Sequence, residues 1–430
     1  MILLDIPSLR QLRGFEAVAR LKSFSRAAQE VNLSQPALTQ SVRALEARFA
    51  AHLLVRRHSG CFVTEPGAIL LPRIQRFFDH IRAALSELML ASASTGRQSV
   101  DAIVNKLTRP QFRSLIAISE NPSLDAAARW LGISEPSLHR SARQLERELR
   151  RSLLQRTTRG VTTTSQGSEL ARRFQVARRE IEYGTEEIEA ARGVIVSRIA
   201  VGNIPHSATV VLSNAIQKLL AIYPDTRVQV LDDHYEALLD DLRAGKLDVL
   251  FGVLRRPAWA IDTNEQYLFA NPYTVVARRE HPLARLHRIT LRDLAAYDWV
   301  LPDRGTPRRE AFEQLFAKSR FSPRVSIETT SPAVYRSILA SSDRLSLFSQ
   351  IETEQTDLQI PSLAKLRFNS SALSRADGVA TRKDWQPTRV HSEFLKLLRE
   401  ETSVLRTSRS AGRPQNRNRV GHSRHKRNAI

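Results

Sequence analysis

Ala27-Ala28-Gln29-Glu30-Val31-Asn32-Leu33-Ser34-Gln35-Pro36-Ala37-Leu38-Thr39-Gln40-Ser41-Val42-Arg43-Ala44-Leu45-Glu46 reads as two short helices joined by a tight turn. The first spans about Ser25 to Val31, Asn32-Leu33-Ser34 makes the turn, and the second starts near Gln35. Pro36 falls in its first turn, where a missing N–H costs nothing. Leu38, Val42, Leu45 and Phe49 recur with the period of one buried helical stripe. Thr39, Gln40 and Arg43 lie off that stripe and face outward, and Ala27 and Ala28 are small enough for the helices to cross closely. The pattern is a helix-turn-helix whose second helix suits the major groove of DNA.

The stretch occurs twice. Adding 100 to each number gives Ala127-Ala128 through Ser134-Glu135-Pro136-Ser137-Leu138 to Leu145-Glu146, and the register holds without a gap from Gln11/Gln111 to Gly67/Gly167. Two copies, each long enough for a small core, make a duplicated domain rather than a solenoid.

Working outward, Ser8 caps a first helix that buries Leu9, Leu12, Phe15 and Val18. The polar run Arg56 to Thr64, with Gly60, suits a β-hairpin wing, as does Arg156 to Thr164 in the second copy. A long helical pattern follows each wing. The first carries Ile69, Leu70, Ile74, Phe77-Phe78, Ile81, Leu85 and Leu88, an apolar face that needs a partner; the second, Ser168 to about Arg192, is far more polar. Near Arg198 the pattern changes to alternating strands and helices. Leu247-Asp248-Val249-Leu250-Phe251-Gly252 reads as a strand of a parallel sheet covered on both faces. A second α/β unit runs from Tyr273, and the chain returns to the first through Gly378 to Thr381 and a helix at Val390 to Glu400, giving two lobes with a cleft between them. The expected domains are a winged helix-turn-helix at 1–66, a linker helix and linker at 67–106, a second winged domain at 107–166, a second linker helix at 167–197, a two-lobed α/β domain at 198–404, and a basic disordered tail at 405–430.

Ser-Gln-Pro-Ala-Leu-Thr from Ser34, followed by Leu45-Glu46 and Leu53-Leu54-Val55-Arg56-Arg57, resembles the winged helix-turn-helix of the LysR-type transcriptional regulators. Ala244-Gly245-Lys246-Leu247-Asp248, His281-Pro282-Leu283-Ala284 and Thr290-Leu291-Arg292-Asp293-Leu294 resemble that family's effector-binding domain, which is similar to a type 2 periplasmic binding protein. The resemblance implies a multidomain chain: two all-α winged helix-turn-helix domains with linker helices, then an α/β two-lobed effector domain. It also implies binding of double-stranded DNA and of a small-molecule effector (an organic acid, an aromatic or a sugar), residence in the bacterial cytoplasm, and contact with RNA polymerase if the protein activates. In the family the linker helix pairs the DNA-binding domains of two subunits, so either a homo-oligomer or an intrachain pseudo-dimer is expected here. The chain departs from the pattern in its tandem, in Ala50 and Arg150 where the family has glycine after the reading helix, and in Ser341-Ser342-Asp343 where a glycine-rich turn is usual.

Composition agrees. A formal charge of +21 fits a polyanionic partner. Cys61 is the sole cysteine, so neither an intrachain disulfide nor a cysteine metal cluster can form. No signal peptide or membrane-spanning run is legible, and no glycine-rich phosphate loop, nucleophile elbow or His/Glu metal spacing points to an enzyme, a cofactor or a metal. The first DNA-reading set is Ser34, Gln35, Pro36, Thr39, Gln40 and Arg43, with Arg56 beside the wing for phosphate. The second is Ser134, Pro136, Ser137, His139, Arg140 and Arg143, where Glu135 replaces a glutamine and repels nearby phosphate. Ser207, Thr306 in Arg304-Gly305-Thr306 and Ser331 in Thr330-Ser331 sit at strand-to-helix turns suited to an anionic or hydroxylated effector, though helix capping alone explains each serine or threonine as well. The competing reading is an architectural, weakly specific DNA-bridging protein with an inert effector-like domain.

Overall fold

The computed structural model describes residues 6–90, 100–158, 160–204, 208–255, 260–359 and 362–411. Copy one consists of α1 (Leu9–Leu21), α2 (Phe24–Glu30), α3 (Gln35–Arg48), the antiparallel hairpin β1 (Leu54–Arg57) and β2 (Gly60–Val63), and the linker helix α4 (Glu65–Leu90). Copy two repeats it as α6 (Arg109–Glu120), α7 (Leu124–Leu131), α8 (Glu135–Leu149), β3 (Leu154–Thr157), β4 (Gly160–Thr163) and α9 (Ser165–Ala191), preceded by α5 (Val100–Lys106). Helix α5 is a correction: that stretch was expected to be linker. The hairpin wings stand where they were expected, in both copies.

The shared motif residues have local physical jobs. Glu46 Oε1 accepts the backbone N–H groups of Leu53 (2.8 Å) and Leu54 (3.2 Å), and Glu146 Oε1 those of Leu153 (2.8 Å) and Leu154 (2.9 Å). That bond pins the wing to the reading helix and explains why a Leu-Glu pair is followed by a Leu-Leu pair in both copies. A Cβ on Gly67 would lie 2.1 Å from the Leu53 carbonyl oxygen, and one on Gly167 the same distance from that of Leu153, so each linker helix starts where only glycine fits. Leu38, Val42, Leu45 and Phe49 are all buried, as the stripe requires.

Where glycine is missing after the reading helix, the backbone still enters the left-handed region, with φ of 46° at Ala50 and 53° at Arg150. A side chain there costs about 1 kcal/mol relative to glycine. Arg150→Gly should therefore exceed Arg150→Ala in stability by about 1 kcal/mol in matched denaturant titrations. The alanine variant removes the same charge and so isolates the backbone effect.

Linker helices α4 and α9 pack against each other over much of their length. One shared core spans the linker helices, copy two and part of copy one, with Phe77, Phe112 and Phe174 at its centre (ring centroids 5.5 and 4.6 Å apart), while Val18, Ala27, Ala28, Leu38 and Val42 form a separate small core in copy one. The apolar face of α4 thus finds its partner inside the same chain.

The first lobe contains β5 (Arg198–Asn203), α10 (Thr209–Ile222), β6 (Arg227–Asp232), α11 (Tyr235–Arg243), β7 (Val249–Val253) and β8 (Thr263–Ala270). The second contains β9 (Tyr273–Arg278), α12 (Leu291–Ala295), β10 (Trp299–Leu301), α13 (Pro307–Phe316), β11 (Val325–Glu328), α14 (Pro332–Ala340), β12 (Ser346–Ser349), α15 (Gln350–Gln359) and β13 (Leu363–Lys365). The chain returns through β14 (Ala376–Arg382) and α16 (Arg389–Ala411). Sheet order in the first lobe is β6-β5-β7-β14-β8. The expected parallel pairing holds for β5, β6 and β7, but β14 runs antiparallel to both β7 and β8. Strand β8 was not foreseen: it is an edge strand whose Asn264, Glu265 and Gln266 give no apolar run. Helix α16 runs to Ala411, past the expected boundary at 404; the rest of the tail, residues 412–430, lies outside the described residues.

Polar α9 proves to be deeply buried rather than a solvated rod. Tyr183 is fully buried in the first lobe's core, donates to Asp248 Oδ1 (2.6 Å), and accepts from Arg382 Nη2 and Trp385 Nε1 (both 3.1 Å). Arg179 Nη2 donates to the same Asp248 oxygen at 2.9 Å, and Asp248 Oδ2 accepts the N–H of Ala200 at 2.8 Å. Burial pushes the Asp248 carboxyl up, but Arg179, His391 and Arg382 outweigh it and hold it well below the usual carboxylate range. The charges of α9 are the mortar between the DNA-binding half and the effector half.

Among the described residues, no helix is long and apolar enough to cross a membrane, and no cluster of His, Cys, Asp or Glu is arranged to hold a metal ion.

Candidate DNA-reading helices and effector cavity

Ser34 caps α3, its Oγ accepting the Ala37 N–H at 3.3 Å, and Thr39 Oγ1 donates to the Gln35 carbonyl at 2.9 Å. Gln35, Pro36, Gln40 and Arg43 are exposed, and among the described residues no carboxylate holds Arg43. In copy two, Ser134 bonds Ser137 (Oγ to Oγ, 2.8 Å) instead of capping α8. Pro136 and Arg140 are exposed. Arg143 Nη1 donates to Glu146 Oε2 at 2.8 Å, and its Nε lies 3.4 Å from His139 Nε2. Copy one therefore leaves Arg43 exposed with no carboxylate partner among the described residues, whereas copy two holds its equivalent against a buried carboxylate.

The wings differ in the same sense. Arg56 lies over the Phe24 ring (4.7 Å to the centroid) and Arg57 over Phe62 (5.7 Å). A Cβ on Gly60 would sit 2.9 Å from the Lys22 carbonyl oxygen, which also accepts the Cys61 N–H at 2.9 Å, so the first wing is fastened to the end of α1. In copy two Leu124 stands at the position of Phe24 and Thr162 at that of Phe62, and an added Cβ on Gly160 would meet nothing within 4 Å. The platform residues Phe24, Phe62 and Lys22 were missed in the sequence. An aromatic beside a helix start reads as core until the wing is folded over it.

The linker helices are related by reciprocal ion pairs. Arg73 binds Glu187 through Nη2–Oε1 (2.6 Å) and Nε–Oε2 (2.9 Å), and Arg173 Nη2 binds Glu87 at 2.9 and 3.0 Å. These are the same positions in the two copies with partners exchanged, the signature of a two-fold interface. Beyond this, Arg73 Nη1 donates to Glu180 and to the Gln386 carbonyl, both at 3.0 Å, and the Arg76 guanidinium donates to the Asp384 carbonyl. Burial pushes Glu180 up, but His80, Arg76 and Arg73 bring it down to about 2.

Between the lobes lies a cavity of about 410 Å³. The first lobe lines it with Ile204, Tyr235, Val253 and Arg255; the second with Tyr273, residues 302–308 and Thr330; Arg375 closes the base. Arg308 is buried, donates through Nη2 to both Glu352 oxygens (2.6 and 2.7 Å), and leaves Nε and Nη1 without an acceptor. Arg375 clasps Asp377 (2.6 and 3.0 Å) and donates to the Tyr273 hydroxyl at 3.1 Å. From the first lobe, Arg255 reaches the Gly305 carbonyl (3.1 Å) and Glu310 (2.6 Å) of the second, so it clasps the two lobes together. Thr306 lines the cavity, its hydroxyl donating to the Asp303 carbonyl at 2.7 Å. Ser331 caps α14, its Oγ accepting from Val334 N at 3.5 Å, and it is the neighbouring Thr330 that lines the cavity. Ser207 lies outside the described residues. His281 is structural, its Nδ1 accepting the Leu283 N–H at 3.1 Å. Arg255, Arg308 and Arg375 were missed because arginine in a +21 chain carries no distinguishing signal; burial supplies it.

Comparison with known proteins agrees with this architecture. The family model for the bacterial regulatory helix-turn-helix protein, lysR family, matches twice, at residues 9–68 and 110–168, and the LysR substrate binding domain matches residues 192–403. GalR, an HTH-type transcriptional regulator of Pseudomonas putida, is 30% identical over 385 residues, covering 89% of this chain and 94% of its own. That match leaves out fewer residues than either helix-turn-helix copy spans, so both copies lie at least partly within it. PcaQ of Agrobacterium fabrum, also an HTH-type transcriptional regulator, is 27% identical over 310 residues, 71% of this chain and 99% of its own. Among solved structures, full-length OxyR from Pseudomonas aeruginosa shares the fold, with a TM-score of 0.52 at 17% identity over 69% of this chain and 94% of that one. The chain belongs to the LysR family: it is a DNA-binding transcriptional regulator with an effector-binding domain, built on a tandem of helix-turn-helix domains.

Proposed function

We propose that one chain of this regulator presents two unlike reading helices to one DNA site, and that a small organic anion closing the effector lobes adjusts that binding. The reciprocal pairs Arg73–Glu187 and Arg173–Glu87 carry the first part, because pairing that family members make between two subunits is made here within one. Copy one reads with Ser34, Gln35, Pro36, Thr39, Gln40 and Arg43 and steadies itself on phosphate with Arg56. Copy two uses Ser134, Pro136, Ser137, His139, Arg140 and Arg143. The half-sites are unlike, about one helical turn or a multiple apart. The protein works in the bacterial cytoplasm, with RNA polymerase as its further partner at promoters it activates, and any homo-oligomer is built from such pseudo-dimers.

The effector class is supported by Arg308. Its two unaccepted donors are buried, and a buried donor without a partner is costly unless a ligand supplies the acceptor. Tyr235 and Tyr273 flank the same cavity and suit a planar organic acid. Thr306 adds a hydroxyl. Thermal-shift titration of the full chain should show stabilisation by aromatic carboxylates and none by neutral sugars. Arg308→Lys keeps a cation for Glu352 but lacks the planar donors; it should weaken the bound acid at least roughly 10-fold while the unliganded chain stays folded. Stabilisation by sugars alone, or acid binding indifferent to Arg308→Lys, would refute the anionic assignment.

A further inference from the structure

A second basic feature lies outside both reading helices. Where the N-terminus of α1 meets that of α6, a crevice of about 530 Å³ is lined by Arg10, Arg13, Lys106 and Arg109 and by no carboxylate. Its walls include Ser8 and Thr108, equivalent positions of the two copies, so it lies where the copies face each other. Asn32 lines it too; the turn that Asn32 belongs to leads directly into Ser34 and the copy-one reading helix, which places the crevice beside a DNA-facing element.

Among the described residues, no carboxylate neutralises Arg10, Arg13 or Lys106. Arg13 is tied to carbonyl oxygens, Nη2 to Leu107 at 3.2 Å and Nη1 to Val104, so it fastens the copies together without meeting a counter-charge. Burial, and after it the charge of the neighbouring Arg10, push its guanidinium down to about 10. Arg10 and Lys106 are exposed, and among the described residues no carboxylate pairs with either. The first turns of α1 and α6 contain no acidic residue, so both helix dipoles add to the positive potential.

We infer that this crevice takes backbone phosphates of the DNA segment between the two half-sites, anchoring the stretch that neither reading helix touches. The inference rests on the reading of one chain as a pseudo-dimer on DNA. Such contacts add affinity without sequence information, and each neutralised phosphate releases counterions.

The test is the full-length double variant Arg10→Ala/Lys106→Ala. Both side chains are exposed, and an unchanged melting temperature verifies folding. Measured on the selected site and on unrelated DNA, the slope of log K against log salt should become shallower by about 1.8, for two phosphate contacts. Sequence preference should be unchanged. Hydroxyl-radical footprinting should show lost protection between the half-sites and retained protection within them. An unchanged salt slope on both DNAs would overturn the proposal. So would an unchanged slope combined with loss of a thermal shift caused by pyrophosphate, which would make the crevice a site for a free phosphorylated molecule. A symmetric footprint from two chains would instead refute the pseudo-dimer, whatever the slope of the variant.

Discussion

Arg73→Ala is expected to destabilise the chain by roughly 3–5 kcal/mol, while Arg173→Ala, the same position in the other copy, changes stability by less than about 1 kcal/mol. The difference is burial. Arg73 is 6% exposed and faces Glu180 at 3% and Glu187 at 26%, so its removal strands a carboxylate inside the protein. Arg173 is 22% exposed and its partner Glu87 55%, where water replaces the lost bond cheaply. Denaturant titrations of the two variants decide the point, and equal effects would mean that α4 and α9 are held by their apolar face alone. Acid should act on the same joint. Glu180 is held at about 2 in the folded chain, below its ordinary 4.5, so its contribution is complete above about 4.5 and is lost as pH falls towards 2. Arg73→Ala should also weaken DNA binding beyond its local effect, because two reading helices no longer held together bind without the gain of linkage.

Arg43→Ala should lower affinity for the selected site roughly 10- to 100-fold and relax preference at one base position, whereas Arg143→Ala should lower it less than about 5-fold. Arg43 is exposed, with no carboxylate partner among the described residues; Arg143 must first leave Glu146, and Glu135 opposes phosphate at the start of its helix. The site selected from random DNA should be non-palindromic and protected by one chain. A strictly palindromic site, bound only when two chains associate, would overturn both the ranking and the intrachain pairing. The full chain is the right material: removing the residues after 197 would strip Tyr183 and Arg179 of the lobe that buries them.

The sequence by itself determined the helix-turn-helix, because its apolar period, capping residues and turn lie within a stretch of about twenty residues and are repeated at a fixed offset. It determined the duplication for the same reason, and the two-lobed α/β half through the alternation of apolar strands with amphipathic helices. It also placed Gln40 and Arg43 on the exposed face of their helix, since off-stripe positions on a short helix turn outward. Only the tertiary structure decided what the charges do. In a chain with 65 lysines and arginines, nothing local separates Arg73, Arg179 and Arg308 from their solvated neighbours. Their meaning lies in Glu187, Asp248 and Glu352, partners that come within reach only when distant segments pack. The same holds for β8 and β14, whose antiparallel pairing joins strands over a hundred residues apart, and for the cavity arginines, which local serine and threonine signals displaced. Local periodicity is written along the chain; electrostatic partnership and burial are properties of a closed surface, and folding alone creates that surface.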